Sequence, residues 1–313
     1  MSEGKTGLCR VRKNYKGSLR SLVYGKLVAG SVDPIEKKPF YHIEPGSRSY
    51  SIATVGCNFS CRFCQNSDIA QFPVDNPGII PGDVVTPDVV VDAAVKSGCS
   101  SIAYTYNEPA VFFEFALETA RIASTKNIKN VFVTNGYMTD EAVEMLAPFM
   151  TAANIDLKAF SENFYNKYCG ARLEHVKRTI KKMKAAGIFV EITTLLIPGL
   201  NDSPDEIEQM ASFIANESGV ETPWHISRFY PSFRLKNIQP TPVKTLHMAR
   251  EKGMAQGLKY VYTGNVPGEN SENTYCYSCY LLLIDRTGYR ISENRLIKGC
   301  CPSCGLKIHG VDL

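Results

Sequence analysis

The sequence predicts an α/β protein, a partial (β/α)6 barrel followed by a small C-terminal four-cysteine module of zinc-ribbon type. Three observations predict it. Strand-like and helix-like segments alternate six times between residues 51 and 264. The polar and cysteine-bearing motifs fall just after strands, at the edge of the sheet where such folds bind ligands. The alternation then stops, and paired cysteines bound a tail over residues 273–310.

Residues 1–50 are read as an N-terminal extension with short strands around Gly25 and an ordered, proline-bearing connection from Asp33 to Gly46. Residues 51–264 form the main domain. Its strands are expected at Ser51–Val55, Ser101–Thr105, Asn130–Thr134, Ala152–Leu157, Ile188–Leu196 and Trp224–Phe229, with a last short one at Tyr260–Tyr262. Helices are expected at Pro87–Ser97, with Thr86 as cap, and at Ala110–Thr125, Asp140–Pro148, Glu174–Ala186, Ser203–Glu217 and Thr241–Gln256. Alternation of this kind implies a parallel sheet with right-handed crossovers. Eight units would close a complete barrel of about 250 residues, so six leave it partial.

The balance of 35 basic against 31 acidic side chains, net +4, is too even to argue for nucleic acid or an acidic membrane surface. No run reaches the roughly 18 apolar residues that a membrane span needs. The N-terminus lacks the apolar core of a secretion signal, so the expected location is cytoplasmic. Thiols stay reduced there, which makes eleven cysteines a poor disulfide framework. Seven of them fall in two tight clusters, which points to metal.

The first cluster is Gly56-Cys57-Asn58-Phe59-Ser60-Cys61-Arg62-Phe63-Cys64. Three thiols at C-x3-C-x2-C spacing in one loop can surround a small inorganic centre. A [4Fe–4S] cube normally takes four cysteines, so Cys57, Cys61 and Cys64 would leave one iron open to a chelating cofactor. Phe63 could shield the centre from water. The plainer readings are zinc ligands or buried thiols. Zinc wants a fourth ligand nearby, and no His or Cys follows until Cys99.

This loop, C-x3-C-x-aromatic-C after the first strand of a β/α domain, resembles the signature of radical S-adenosylmethionine (radical SAM) enzymes, and the partial (β/α)6 barrel is that family's fold. The resemblance implies that S-adenosylmethionine chelates the open iron and is split reductively to methionine and a 5′-deoxyadenosyl radical, which abstracts hydrogen from a substrate. Asn107 and Glu108 in Tyr104-Thr105-Tyr106-Asn107-Glu108-Pro109 then occupy the place of the family's Gly-Gly-Glu-like motif on the methionine amino group, although the glycines are absent. Asn107 can equally cap the next helix, with Pro109 in its first turn.

Asn135, in Thr134-Asn135-Gly136, suits a ribose or simply a turn. Asp156 and Lys158, two apart on a strand, point to one face. They suit the methionine carboxylate, with a structural salt bridge as the alternative, and here the chain resembles the activase of pyruvate formate-lyase. His225 resembles the histidine that activases place beside the methionyl group, against the reading of a core histidine. Pro198-Gly199-Leu200-Asn201-Asp202 resembles an activase loop near the adenine.

Cys276-x2-Cys279 and Cys301-x2-Cys304 look like the two knuckles of a zinc-ribbon or rubredoxin-like module over 273–310, with a hairpin around Arg286-Thr287-Gly288. An auxiliary iron–sulfur cluster is the alternative centre. A module this small has too little core to fold unaided, so the metal would supply much of its stability. Cys9, Cys99 and Cys169 are read as isolated structural or free thiols.

Cys9-Arg10-Val11-Arg12, Asp33-Pro34-Ile35-Glu36-Lys37-Lys38-Pro39, Tyr41-His42, Cys64-Gln65-Asn66 and the final CxxC pairs resemble the radical SAM enzymes of the AmmeMemoRadiSam system. Relatives begin with a further Cys-rich stretch of which only Cys9 stands here, so any metal site there is expected to be lost, incomplete or truncated. The resemblance implies a reducing electron donor such as flavodoxin or ferredoxin, and Memo-type and Amme-type partners. It also implies an activase-like enzyme acting on a glycyl-radical protein partner. Radical modification of a small molecule or of RNA is the alternative function, and a non-catalytic iron–sulfur and zinc scaffold the more distant one.

Overall fold

A computed structural model describes residues 1–266 and 268–313. Its centre is an eight-stranded sheet. The strands are β1 (Ala29–Pro34), β2 (Arg48–Ala53), β3 (Ser101–Tyr104), β4 (Lys129–Thr134), β5 (Ala152–Asp156), β6 (Phe189–Leu196), β7 (Trp224–Arg228) and β8 (Val261–Gly264), lying side by side in chain order. β1 pairs antiparallel with β2, and every other neighbouring pair is parallel. β1 and β8 are the two edges, so the sheet is not closed by hydrogen bonds as a barrel.

Two expectations change. The boundary at residue 50 falls inside β2, and the N-terminal stretch is not merely an extension, because β1 covers the sheet edge that β2 would otherwise expose. The short last strand is a full member of the sheet, which makes seven parallel strands rather than six.

Helices α1 (Pro87–Lys96), α2 (Phe113–Thr125), α3 (Asp140–Leu146), α4 (Leu173–Ala185), α5 (Pro204–Phe213) and α6 (Val243–Ala255) follow successive strands. They pack on the face formed by Ile52, Tyr104, Phe132, Ile155, Ile192 and Trp224, all fully buried. Alternation along each strand sends the next residues to the opposite face. Thr86 stands extended at the start of α1 but makes no side-chain cap bond. The long helix expected from Ala110 begins as a 3-10 turn (Pro109–Phe112) that Glu108, not Asn107, caps by accepting from Ala110 N. The helix expected over Ser203–Glu217 ends as a π turn at Ile214–Ser218.

The inner face is where the chain departs from a plain α/β sheet. Ser51, Ala103, Val131 and Ala152 stand in one row across β2 to β5, and the small residues leave room for a covering strap. The connection after β1 fills it. Ile35, Phe40 and Ile43 pack on Ala103, Val131 and Ala152. The strap's backbone is satisfied by inner-face side chains: Asn154 donates to Pro39 O at 2.7 Å, and Glu191 accepts from Tyr41 N and His42 N at 3.0–3.1 Å. A buried polar backbone without such partners would cost free energy.

The C-terminal module adds β9 (Thr274–Tyr275), β10 (Leu282–Thr287) and β11 (Arg290–Asn294) as an antiparallel sheet. It packs on the strap and the sheet edge through Tyr41, Tyr260, Tyr262, Leu283, Ile284 and Ile308. Arg286, 2% exposed, holds it there: its guanidinium donates to Tyr41 O (2.8 Å) and Thr274 Oγ1 (2.6 Å) and lies over the Tyr41 ring. The last residues return to the strap, where Val311 N donates to His42 O and Glu44 N to Val311 O.

Candidate metal and cofactor site

The cysteine loop leaves β2 at Gly56. This glycine has φ +94°, and a Cβ there would lie 2.8 Å from a Val11 methyl, so no other residue fits without displacing the N-terminal segment. Neighbouring elements hold the loop backbone. Ser60 N donates to Cys169 O and Arg62 N to Tyr168 O, at 2.8 and 2.9 Å. Asn107 donates to Gly56 O (2.9 Å) and Thr54 Oγ1 (3.1 Å) and accepts from Thr54 N. Asn135 donates to Asn58 Oδ1 (2.7 Å) and approaches Cys57 Sγ at 3.7 Å.

Cys57, Cys61 and Cys64 line a cavity of about 310 Å³ together with Phe63, Asn107, Glu108, Asn135, Asp156 and Lys158. The residues expected to serve one cofactor therefore converge, although they come from four different strand ends. His225 is the exception. It shares a row with Asp156, Thr193 and Tyr262, but two strand spacings, about 10 Å, separate it from Asp156. It lines the neighbouring cavity instead. There Nε2 meets Glu191 Oε2 at 2.5 Å and the ring stacks on Tyr262, the arrangement of an anchored core histidine.

The site's electrostatics follow from burial. Burial pushes the Cys57 thiol well above its ordinary value and Cys64 up to about 11. Cys61 is lowered, chiefly by a hydrogen bond from Cys169, which outweighs burial, and then by the Lys158 charge. Cys169 is thus not isolated but lies against a candidate ligand. Burial opposes the Lys158 charge, yet Asp156 and the thiols of Cys61 and Cys169 outweigh it and raise its pKa. Lys158 Nζ is 2.8 Å from Asp156. Burial pushes Glu108 up to about 7, against bonds from Asn135 N, Ala110 N and Thr134 Oγ1.

Several residues of this cavity carry no signal in the spacing. Lys38 is 2% exposed, ion-paired to Asp33 at 2.8 Å, and lies over the ring of Tyr106 at 4.0 Å. Tyr106 itself has φ +66°, and its carbonyl accepts from Asn66 of the cysteine loop. Its place at a strand end in the Asn-Glu-Pro motif is the one hint available in the sequence.

The two cysteine groups differ in spacing. Among the described residues, only Cys276, Cys279, Cys301 and Cys304 bring all their ligand atoms within 4.8 Å of one another, with sulfur pairs at 3.6 Å. A tetrahedral ion with bonds of about 2.3 Å to sulfur needs sulfurs about 3.8 Å apart. The quartet therefore fits a single ion, and its sulfurs are too close to sit one on each iron of a cube. The wider set of Cys57, Cys61 and Cys64 fits a larger centre with three thiolates and an open position.

The Radical SAM superfamily model matches residues 51–214, over half the chain. The chain belongs to the radical SAM superfamily. It is therefore an enzyme of oxidoreductase type, in a superfamily that generates radicals from S-adenosylmethionine at a [4Fe–4S] cluster. An uncharacterized protein of Methanocaldococcus jannaschii is 44% identical over 98% of this chain and 91% of its own length. A pyruvate formate-lyase-activating enzyme of Clostridium pasteurianum is 22% identical over 62% of this chain and 80% of its own. Similar folds include Streptococcus suis SuiB bound to S-adenosylmethionine, with TM-score 0.54 at 14% identity, covering 68% of this chain and 49% of that one. A radical SAM methyltransferase from Sphaerobacter thermophilus reaches TM-score 0.53 at 17% identity, covering 71% and 67%. No helix among the described residues is long and apolar enough to cross a membrane.

Proposed function

We propose that this radical SAM enzyme is activase-like: it takes a hydrogen atom from a glycine of a protein partner. The observation that carries the radical chemistry is the convergence of Cys57, Cys61 and Cys64 with Asn107–Glu108, Asn135 and Asp156–Lys158 on one cavity. Kinship to pyruvate formate-lyase-activating enzymes supports the choice of substrate. When bound, the cluster and S-adenosylmethionine supply the one-electron chemistry that ends in hydrogen abstraction.

The chain's own residues orient and shield. Cys57, Cys61 and Cys64 would hold three irons. Lys158, kept charged by Asp156, would face the cofactor carboxylate. Glu108 and Asn135 line the cavity and would present polar atoms to its amino and ribose groups, and Phe63 would wall the cavity from water. A zinc ion at Cys276, Cys279, Cys301 and Cys304 would complete the metal complement. A flavodoxin or ferredoxin would supply the electron, and Memo-type and Amme-type proteins are the proposed partners.

The test is anaerobic reconstitution with iron and sulfide, followed by S-adenosylmethionine and dithionite, with 5′-deoxyadenosine quantified by mass spectrometry. Nucleoside formation that disappears in Cys61→Ala is the expected result. Its absence from a fully loaded wild-type cluster, with partner proteins present, would leave only the scaffold reading.

A further inference from the structure

A second cavity, of about 880 Å³, opens beside the first and shares Lys37, Gln65, Thr193 and Ser227 with it. The two adjoin along the C-terminal edge of the sheet. One wall is the sheet itself, through Thr193, His225 and Tyr262; another is the strap, through Glu36 and Tyr41. The far wall belongs to the C-terminal module, whose β10–β11 hairpin contributes Arg286, Thr287, Gly288 and Tyr289. The metal-binding module is thus half of a chamber that leads to the cysteine loop.

The chemistry of the walls narrows what can enter. Three carboxylates, Glu36, Glu269 and Glu272, face the space against the cations Lys37 and Arg286. Both cations are engaged within the protein, Lys37 with Asp33 at 2.7 Å and Arg286 with Tyr41 O and Thr274 Oγ1. A polyphosphate chain would meet three carboxylates against two cations that are already engaged, whereas nucleic-acid recognition rests on lysine and arginine at the phosphates. Besides Lys37, which is tied to Asp33, the exposed polar lining is neutral, Gln65, Asn265, Asn270 and Thr287, and these groups match the donors and acceptors of a peptide backbone. Tyr230 and Tyr289 stand at the mouth, 39% and 52% exposed, as rigid amphipathic contacts of the kind enriched where proteins bind proteins. The volume, about 880 Å³, lies near the upper end of the roughly 300–1,000 Å³ that small-ligand sites span, and it adjoins the cofactor cavity. There is room for several residues of extended chain.

We propose that this chamber takes the substrate as a neutral or basic polypeptide segment, gripped between Tyr230 of the main domain and Tyr289 of the C-terminal module, so that the module is a substrate-binding wall. The proposal rests on the radical reading above for its reaction but not for its binding.

The experiment is a selection from a displayed library of short random peptides on the full-length, metal-loaded protein under anaerobic conditions. Recovered peptides are then measured against wild type, Tyr289→Ala, Tyr289→Phe and Thr287→Trp. Both altered positions are exposed, Thr287 at the end of β10 and Tyr289 in the turn that follows, and the phenylalanine variant separates loss of the ring from a disturbed hairpin. Neutral or basic peptides should be enriched. Their affinity should fall about ten-fold, or 1.4 kcal/mol, in Tyr289→Ala and Thr287→Trp and persist in Tyr289→Phe. No enrichment, enrichment of acidic peptides, binding indifferent to the alanine and tryptophan changes, or displacement by single-stranded RNA would each overturn the proposal. This assay reads binding, whereas nucleoside formation without substrate tests the radical chemistry, so either can fail while the other stands.

Discussion

Glu108 is a buried carboxyl with three donors aimed at it and no cation among its hydrogen-bond partners. Because burial raises its pKa from 4.5 to about 7, the folded protein holds a proton there that the unfolded chain has already released. Stability from this group is therefore full below about pH 4.5 and declines as pH rises toward about 7, a difference that integrates to about 3 kcal/mol. Urea denaturation of wild type and Glu108→Gln across that range should show wild type losing ground to the variant as pH rises; parallel curves would refute the burial argument. Lys158 makes the second residue-scale prediction. If it faces the cofactor carboxylate, Lys158→Met should raise the KM for S-adenosylmethionine about ten-fold or more, with a smaller change in kcat. An unchanged KM would make the pair with Asp156 purely structural. At this scale the sequence motifs located the cysteines and the polar residues Asn107, Glu108, Asn135, Asp156 and Lys158 of the cavity, because strand ends carry them in short runs, but not Lys38 or Tyr106. His225 lines the adjoining cavity, because a motif fixes a strand position and not which of two adjoining cavities the strand faces.

At the scale of elements, the cysteine loop depends on contacts far away in sequence. Gly56→Ala would force a Cβ against Val11 at a left-handed backbone position, a strain of about 1–3 kcal/mol. The expected outcome is a lower Tm together with reduced iron uptake on reconstitution; retention of both would mean that the N-terminal segment can yield. The strap depends on Glu191, which is fully buried and accepts from Tyr41 N, His42 N and His225. Burial raises its pKa, but His225 outweighs that and leaves it lowered, so its contribution is present above the ordinary carboxylate pKa and lost in acid. Glu191→Ala should cost about 3–5 kcal/mol at neutral pH, since it strands buried partners, and less below pH about 4; a cost unchanged in acid would point to packing alone. The helices and parallel strands were legible because their periodicity is local. The strap was legible only as an irregular connection, since prolines say where regular structure stops and not what the segment covers.

For the whole molecule, the question is whether the C-terminal module is an appendage or a part of the working chamber. Its four sulfurs fit one ion, and metal binding of this kind is folding free energy. Cys301→Ser should abolish one tightly bound metal per chain. It should also speed hydrogen exchange at the Tyr41 and His42 amides, which lie beneath the module, while leaving α1 and α2 protected. Exchange unchanged in the strap would show that the module folds and docks without its ion.

By itself the sequence determined the alternation of strands and helices, the two cysteine groups, and the polar strand ends, because each depends on spacing along a few residues. Only the tertiary structure decided that β1 covers the sheet edge, that Cys169 lies against Cys61, that His225 belongs to the second cavity, and that Arg286 binds the module to the strap. The residues in each of these contacts lie tens to hundreds of positions apart. Local propensity carries no information about such pairs, and the packing that joins them is settled when the inner face of the sheet is filled.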